Sequence, residues 1–171
     1  RIRCYETLER RSDTDIRHIL RFALLVFTLN EVEGMSVIMP KVDRNWVDEI
    51  LIVDGGSTDG TVEYANENGY PVYSQKRNGF RHAYIEALEQ VTSDYIIAFS
   101  PDGNSIPEKI PELKTKALEG FDIVRCSRYL DGAISYDDDR ITAFGNWLFT
   151  RIINLLHRRN HTDAMVMYRA V

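Results

Sequence analysis

Cysteine is nearly absent from this chain, which has two cysteines among its 171 residues. Cys4 and Cys126 are too few and too far apart in the sequence for a disulfide framework or a zinc cluster. We therefore expect Cys126 to behave as a small buried apolar residue. The same scarcity favours a reduced, cytoplasmic setting.

Long hydrophobic runs are also missing. The best candidate, residues 22–29, is far shorter than the roughly 20 apolar residues that a membrane-spanning helix needs. Residues 1–11 are charged and lack the cleavage pattern of a signal peptide. The first residue is arginine rather than methionine, so we expect the sequence to be a piece of a longer protein.

The chain has no excess of positive charge. It carries 21 Lys and Arg against 26 Asp and Glu, a formal net charge of −5. That balance argues against a protein that binds nucleic acid over its whole surface, and we expect no nucleic-acid partner. A local pocket for phosphate is still compatible with an acidic chain.

The sequence does contain a regular alternation of strand and helix patterns. Short, almost continuous apolar runs at residues 22–27, 50–53, 71–73, 95–99 and 121–126 alternate with helical patterns at 31–42, 61–68, 80–90 and 107–119. This order predicts an α/β fold with a mostly parallel sheet and helices on both faces. Residues 1–21 are predicted as an N-terminal arm, either a short helix or a loose segment, ahead of one domain at 22–171.

A last helical pattern covers residues 141–156 and is apolar around most of its circumference. Basic residues follow it at 157–159, which suits a helix C-terminus. Two interpretations stay open. The helix faces a core or a partner, or it docks on a membrane surface through residues 141–159.

Polar side chains follow every predicted strand. Ligands of open α/β sheets bind beyond the carboxyl ends of the strands, so we expect five loops to converge on one crevice. These loops carry Thr28, Leu29, Asn30 and Glu31; Asp54, Gly56, Ser57 and Asp59; Arg77, Asn78 and Arg81; Pro101, Asp102 and Asn104; and Arg128.

The loop after the second predicted strand, from Asp54 to Gly60, is the most informative of the five. Asp54 ends an apolar run, and its carboxylate is placed to accept hydrogen bonds from a base or a ribose. Asp59 is placed to cap the next helix. The loop lacks the ending of a phosphate-binding P-loop and the spacing of a dinucleotide fingerprint. A plain strand–turn–helix connection is the equally weighted alternative.

Asp102 and Asn104 follow the strand predicted at residues 95–99. Oxygen ligands at a strand end suit Mg²⁺ or Mn²⁺ shared with substrate phosphates, so both residues are candidate metal ligands. The competing interpretation is a turn built from proline, aspartate, glycine and asparagine.

Taken together, these motifs resemble the family-2 glycosyltransferases of the nucleotide-diphospho-sugar transferase (GT-A) fold, in particular the dolichol-phosphate mannosyltransferase and polyprenyl-phosphate branch. The resemblance covers residues 22–171. It is carried by Phe27-Thr28-Leu29-Asn30-Glu31, Val53-Asp54-Gly55-Gly56-Ser57-Thr58-Asp59-Gly60-Thr61, Arg77-Asn78-Gly79-Phe80-Arg81, Cys126-Ser127-Arg128-Tyr129, Arg140 with Gly145-Asn146, and Thr162-Asp163 with Tyr168-Arg169.

The sequence departs from this family in three places. Ser100 stands where the family's Asp-x-Asp metal signature has its first aspartate, which puts metal dependence in doubt. Thr28 replaces a proline in the first loop. Arg81 replaces a glycine and adds a cation near the expected pyrophosphate. Family members also continue beyond this sequence, so a domain truncated on its acceptor side is expected.

The resemblance implies an inverting transferase that moves a sugar from a nucleotide-diphospho-sugar to a polyprenyl phosphate, at the cytoplasmic face of a membrane. The implied donor-binding residues are Thr28, Leu29, Asn30, Glu31, Asp54, Gly56, Ser57, Asp59, Arg81, Pro101 and Asp102. Asp102 and Asn104 would hold Mg²⁺ or Mn²⁺. The implied catalytic set is Asp102, Arg128, Arg140 and Asp163, in which the arginines orient the lipid phosphate and Asp163 holds them or acts as a base. A saccharide acceptor and a non-catalytic nucleotide-sugar-binding module stay open as alternatives.

Overall fold

The computed structural model describes residues 3–10, 20–127, 140–158, 160–164 and 166–171, with the backbone alone for 3–10 and for residue 140. A seven-stranded sheet lies at its centre. The strands are β1 (Arg3–Arg10), β2 (Phe22–Thr28), β3 (Glu49–Asp54), β4 (Val72–Ser74), β5 (Tyr95–Phe99), β6 (Phe121–Ser127) and β7 (Arg169–Ala170). Their order across the sheet is β1-β6-β7-β5-β2-β3-β4.

The predicted mostly parallel sheet is confirmed by the strand directions. β2 pairs in parallel with β3 and β5, and β3 pairs in parallel with β4. β7 is antiparallel to both β5 and β6, so β6 runs in the same direction as β5. All seven residues of β2 are buried, as expected of a continuous apolar run in the middle of a sheet.

Five helices connect or follow the strands: α1 (Val32–Ile38), α2 (Thr61–Glu67), α3 (Phe80–Leu88), α4 (Ile110–Leu118) and α5 (Arg140–His157). Two are shorter than predicted. The helix expected at 31–42 becomes a 3-10 turn at Met39–Lys41, because Pro40 has no N–H for a further helical hydrogen bond. The helix expected at 107–119 starts as a 3-10 turn at Pro107–Lys109.

Helices cover both faces of the sheet, as predicted. On one face α1, α2 and α4 pack on β2, β3 and β5; on the other face α3 packs on the same strands. The first core includes Leu24, Val26, Met35, Met39, Ala65, Ile97, Phe99, Ile110 and Leu113, and the second includes Ala23, Leu25, Phe27, Ala83, Ala87 and Ala98. Cys126 is 1% exposed within the first core, which confirms its prediction as a buried apolar residue.

The N-terminal segment corrects one prediction. Residues 1–21 were expected to form a short helix or a loose arm, but β1 lies within them and pairs antiparallel with β6. The segment from Arg3 to Arg10 contains too many polar residues to resemble the buried strands. A strand at the edge of a sheet does not require a continuous apolar run, which explains the error.

α5 carries most of the large exposed apolar side chains of the described part of the chain. These are Ile141, Phe144, Trp147, Leu148, Phe149, Ile152, Leu155 and Leu156, of which Ile141 and Leu155 are each 81% exposed. We call this set the α5 apolar surface. No helix among the described residues combines the length and the hydrophobicity that crossing a membrane requires.

Candidate functional site

A cavity of about 270 Å³ lies at the carboxyl ends of the parallel strands. The loops after β2, β3, β4 and β5 and the first turns of α3 all contribute to its wall. The lining residues are Phe27, Thr28, Leu29, Glu31, Val53, Gly55, Gln75, Gly79, Phe80, Ala83, Ser100 and Met167. The predicted convergence is thus confirmed for four of the five strand ends. The fifth loop, with Arg128 and Tyr129, lies outside the described residues.

Asp54 ends β3 with its carboxylate almost fully buried, at 2% exposure. Its Oδ2 accepts hydrogen bonds from the backbone N–H groups of Gly56 and Ser57, at 2.9 and 3.0 Å. Its Oδ1 accepts from the Ser57 hydroxyl at 2.5 Å and from the Thr28 hydroxyl at 3.4 Å. Asp54 therefore holds its own loop in shape, and Gly56 adopts a φ of +101° that the turn requires.

A second set of bonds joins the loop after β2 to the loop after β3. The Asn30 N–H donates to Ser57 Oγ at 2.9 Å, and the Thr58 N–H donates to Asn30 Oδ1 at 2.8 Å. Asn30 has a φ of +55°, a left-handed conformation that asparagine tolerates better than most residues. The two loops consequently form one rigid wall, built from residues predicted to bind a donor.

Asp59 acts at the start of α2, as predicted. Its Oδ1 accepts from the Thr61 N–H at 3.0 Å, which is the first N–H of the helix, and from the Thr61 hydroxyl. Its Oδ2 accepts from the Val32 N–H at the start of α1. These hydrogen bonds lower the pKa of Asp59, that from the Thr61 hydroxyl most of all. Asp59 therefore links the first turns of two helices.

Glu31 lines the cavity and is partly buried. Burial raises its pKa above the ordinary value, and repulsion from Asp102 and Asp59 raises it further. The loop with Asp102 comes this close because residue 34 is glycine: a Cβ at Gly34 would lie 2.3 Å from Pro101 O and 3.2 Å from Glu31 Oε2. Three carboxylates therefore share one side of the crevice.

Ser100, Asp102 and Asn104 do not form a metal site of their own. Asp102 and Asn104 are exposed, and the Asn104 N–H donates to Asp102 Oδ1 at 2.9 Å. This contact is the one expected if the segment forms a turn. Ser100 is 9% exposed and supplies no carboxylate. Within the described residues no three His, Cys, Asp or Glu side chains group in a way that could hold a metal ion. Cations of this kind usually take one or two protein carboxylates and complete their ligand shell with substrate phosphates and water, so the exposed Asp102 carboxylate fits a cation that arrives with a nucleoside diphosphate.

The opposite side of the crevice is organised by Glu86, which sequence reasoning missed. Glu86 lies on the buried face of α3 and is 5% exposed. Its Oε2 accepts from the Lys76 N–H at 2.7 Å and from the Tyr73 hydroxyl at 3.2 Å, and its Oε1 accepts from Arg77 Nε at 2.9 Å. These hydrogen bonds lower the pKa of Glu86, and the one from the Lys76 N–H has the largest effect. The sequence does offer one signal for Glu86: it is a charged residue on the same helical face as Ala83 and Ala87.

The remaining predicted residues divide into described and undescribed ones. Arg81 is exposed on the first turn of α3. Asp163 is 1% exposed, and the Asn146 side-chain amide donates to its Oδ1 at 3.0 Å, which ties α5 to the segment before β7. Arg140 begins α5, and its side chain lies outside the described atoms, as do Arg128 and the acidic residues 137–139.

The chain is similar in sequence to known proteins. Residues 44–170 match the family Glycosyl transferase family 2. "Glycosyltransferase AglJ" of Haloferax volcanii is 29% identical over 151 residues, covering 86% of this chain and 48% of its own length. "Undecaprenyl-phosphate 4-deoxy-4-formamido-L-arabinose transferase" of Salmonella choleraesuis is 29% identical over 168 residues, covering 90% and 48%. The chain thus spans about half the length of these curated relatives.

A solved structure gives the same picture of the fold. Glucosyl-3-phosphoglycerate synthase from Mycobacterium tuberculosis, in complex with Mn²⁺ and uridine-diphosphate-glucose, superposes with a TM-score of 0.67 at 25% identity. The match covers 90% of this chain and 56% of that one. The complex of the same protein with Mn²⁺, uridine diphosphate and glucosyl-3-phosphoglycerate gives a TM-score of 0.68 at 24% identity.

Proposed function

Because this chain belongs to glycosyl transferase family 2, we propose that it is the donor-binding part of an enzyme that transfers a sugar from a nucleoside-diphosphate sugar to a polyprenyl phosphate. The observation that carries the proposal is the cavity at the carboxyl ends of β2, β3, β4 and β5, with its two joined loops. The GT-A fold of the solved neighbour supports the same placement of the donor.

The cavity offers suitable surfaces for a nucleoside. Leu29 and Phe80 line it and are 59% and 49% exposed, so apolar surface is available for a flat base. The Phe80 ring packs edge-on against Phe27, with ring centroids 4.9 Å apart, which fixes its position. Glu31 lies beside them as an acceptor for sugar hydroxyl groups. Asp54 would then act by holding the loop of Gly56 and Ser57, rather than by direct contact with the donor.

The acceptor is proposed from the relatives. One of them is named for undecaprenyl phosphate. A phosphate acceptor is already an anion and needs little help from a general base, so a single in-line displacement with inversion at the sugar carbon is expected. Arg128 and Arg140 are proposed to orient that phosphate through bidentate hydrogen bonds. Buried Asp163, bonded to Asn146, is proposed to position this end of α5 rather than to accept a proton.

The α5 apolar surface is proposed to lie on the membrane that contains such a lipid, at its cytoplasmic face. Eight large apolar side chains exposed on one helix cannot be explained by the core of the described residues. Arg151 and Arg158 on or next to the same helix supply positive charge for anionic headgroups.

Vesicle binding tests this contact. We expect the protein to co-sediment with vesicles that contain anionic lipid, and Phe144→Ser with Leu155→Ser to reduce the bound fraction several-fold. Val37→Ser, an apolar position on α1 whose exposure is close to that of Phe144, is the matched control. Equal binding by both variants would exclude a role for α5.

A transfer assay tests the proposed function. The protein is incubated with UDP-sugars and GDP-sugars in the presence or absence of undecaprenyl phosphate in detergent micelles, and release of nucleoside diphosphate is measured. We expect release that requires the lipid phosphate and that Arg140→Ala reduces. Release stimulated by saccharides instead would favour the saccharide acceptor. Nucleotide binding without release from any donor would favour a non-catalytic binding module.

A further inference from the structure

We propose that Cys4 and Cys126 are a redox-active pair across two strands, which closes to a disulfide when the protein reacts with a small oxidising disulfide such as oxidised glutathione. The bond fastens the edge strand β1 to β6. Neither strand has a described residue in the lining of the donor cavity, so the pair is independent of the proposed function.

The pairing of β1 with β6 brings together the two cysteines of the sequence. They are 122 residues apart along the chain, yet Cys4 and Cys126 are direct partners in the antiparallel register. Directly opposite residues of an antiparallel pair lie on the same face of the sheet. Cys4 therefore has a register position on the face of the first core, to which Cys126 belongs.

The position of Cys126 along β6 is one at which β1 and β6 do not exchange hydrogen bonds. Its N–H donates to Tyr168 O at 3.0 Å, on the side of β6 away from β1. A hydrogen-bonded pair exchanges both of its N–H···O bonds, so Cys126 cannot form one with Cys4. The Cα atoms of a non-hydrogen-bonded pair are about 4.5 Å apart. Disulfides bridge Cα atoms that are roughly 4.4–6.8 Å apart, so the backbone spacing of this pair suits the bond.

Closure is an exchange of disulfide bonds. The thiolate of one cysteine attacks a sulfur of the small disulfide, one small thiolate leaves, and a mixed disulfide remains. The thiolate of the second cysteine then attacks the protein sulfur of that bond and displaces the other small thiolate. The two protein thiols give up two protons and two electrons, which the small disulfide takes up as it becomes two thiols. An excess of the small thiol reverses both steps.

The burial of Cys126 determines when this exchange takes place. Cys126 is 1% exposed, so a reagent in solution does not reach it in the folded sheet. Its neighbour β1 is an edge strand, and an edge strand opens locally at a lower cost than the whole domain unfolds. The reaction therefore starts from molecules in which β1 has separated from β6, and the disulfide then prevents that separation.

The length of the closed loop makes the bond effective. A cross-link between residues 122 positions apart removes much of the freedom of the unfolded chain, and this effect grows with loop length. In the reduced setting that the scarcity of cysteine favours, disulfides are mostly transient and redox-sensing. The pair is thus expected to be open in that setting and closed under oxidation.

Equilibration with glutathione tests the pair. The full chain is incubated with mixtures of oxidised and reduced glutathione, quenched with acid, and analysed by intact mass and by mapping of cross-linked peptides. We expect a monomer that has lost two hydrogen atoms and that links Cys4 to Cys126, and we expect excess reduced glutathione to restore the thiols. A product that keeps glutathione on one cysteine, a disulfide-linked dimer or an unchanged mass would each overturn the proposal.

Displacement of one thiol by a single residue is the matched control. Cys4→Ser combined with Arg3→Cys keeps two cysteines but places the new one opposite Ser127 instead of Cys126. Successive residues of a strand point to opposite faces, so this variant should form at least tenfold less internal disulfide at the same glutathione ratio. Equal formation would mean that a separated N-terminal segment, rather than the strand register, brings the thiols together, and would overturn the proposal.

Thermal unfolding and hydrogen exchange measure what the bond does. We expect the oxidised chain to melt about 10 °C above the reduced chain, and the amides of β1 and β6 to exchange at least tenfold more slowly. Cys4→Ser leaves the core residue Cys126 in place and should show no difference between oxidising and reducing buffers. Equal melting temperatures and equal exchange for the oxidised and reduced chains would overturn the fastening of β1.

Discussion

Asp54 and Asp102 both follow buried strands, but their surroundings give them different physical roles. Asp54 is 2% exposed, and both of its oxygens are occupied by hydrogen bonds from its own loop and from Thr28. Asp102 is exposed and accepts one backbone hydrogen bond. A buried acceptor that is removed leaves several donors without partners, whereas water replaces an exposed one.

Substitution of these two residues should therefore separate stability from ligand binding. We expect Asp54→Ala to lower the free energy of unfolding by about 2 kcal/mol, because it leaves the Gly56 and Ser57 N–H groups unpaired. Asp102→Ala should change it by less than about 0.5 kcal/mol. Urea denaturation measures both. Similar values for the two variants would contradict the loop-holding role of Asp54.

Glu31 should reduce stability at neutral pH. Its folded-state pKa is raised by burial, Asp102 and Asp59, so the folded protein binds this proton more tightly than the unfolded chain does. The stabilisation from protonated Glu31 is complete below the ordinary pKa of 4.5 and is lost as the pH rises through the raised value.

Glu31→Gln should consequently raise the melting temperature at pH 7, by about 1–2 °C because the group is only partly buried. The difference from the wild-type chain should disappear near pH 4. Scanning calorimetry at the two pH values measures it. Thr58→Ala, on the adjacent loop but without a carboxylate, is the control. A rise of the same size at both pH values would contradict an electrostatic origin.

At the scale of single residues, the sequence predicts which residues lie at the site, but it does not predict most of the hydrogen bonds between them. The positions of Asp54, Asp59 and Asn30 followed from the strand ends, and the capping by Asp59 was predictable because it joins residues two apart. The bond between Asn30 and Thr58 joins residues 28 apart, so local patterns carry no trace of it. Glu86 was overlooked because its three partners lie 10, 9 and 13 residues away.

At the scale of elements, the contact between α1 and the loop at Pro101 depends on the absence of one side chain. The space for a Cβ at Gly34 is already occupied by Pro101 O at 2.3 Å. α1 has only seven residues, and it carries Glu31 at its N-cap. A shift of this helix therefore moves the acidic side of the crevice.

Gly34→Ala sets two effects against each other. Alanine favours a helix over glycine by about 1 kcal/mol, but a contact with a backbone oxygen at this distance forces the helix away from the loop, and overpacking costs about 1–3 kcal/mol. We expect net destabilisation of about 1 kcal/mol and weaker nucleotide binding. Val37→Ala, exposed on the same helix, is the control. An increase in stability for Gly34→Ala would show that the loop adjusts freely.

Strands that are buried in the middle of the sheet could be predicted from the sequence, whereas strands without a continuous apolar run could not. The four strands with nearly continuous apolar runs that line the crevice were found within two residues of their ends. β1 and β7 were missed for a common reason: both are stabilised by pairing with distant strands rather than by a local pattern. β7 has only two residues, Arg169 and Ala170, and pairs with β5 and β6.

At the scale of the whole molecule, the sheet combines a parallel half that forms the crevice with an antiparallel half that ends at β1. β1 covers one edge of β6, and β7 covers the other. An uncovered strand of seven residues presents a row of free N–H and C=O groups to other chains.

Removal of residues 1–10 should therefore promote association. We expect the shortened protein to form concentration-dependent oligomers and to melt at a lower temperature, as measured by sedimentation velocity at several concentrations and by thermal denaturation. Deletion of residues 1–2, which precede β1, is the control. A monomeric shortened protein with unchanged nucleotide affinity would mean that β6 tolerates an open edge.

The position of β7 in the sheet has a consequence for synthesis of the chain. The facing edges of β5 and β6 are joined through β7 and its two flanking residues, and Arg169 lies 42 residues after the end of β6 at Ser127. While a ribosome is still adding the residues between them, β2 to β5 can pair, but β6 has no neighbour on that side. The donor crevice can thus form early during translation, whereas the two halves of the sheet join late. Chains whose synthesis stops before residue 169 should expose both edges and be targets for chaperones and proteases.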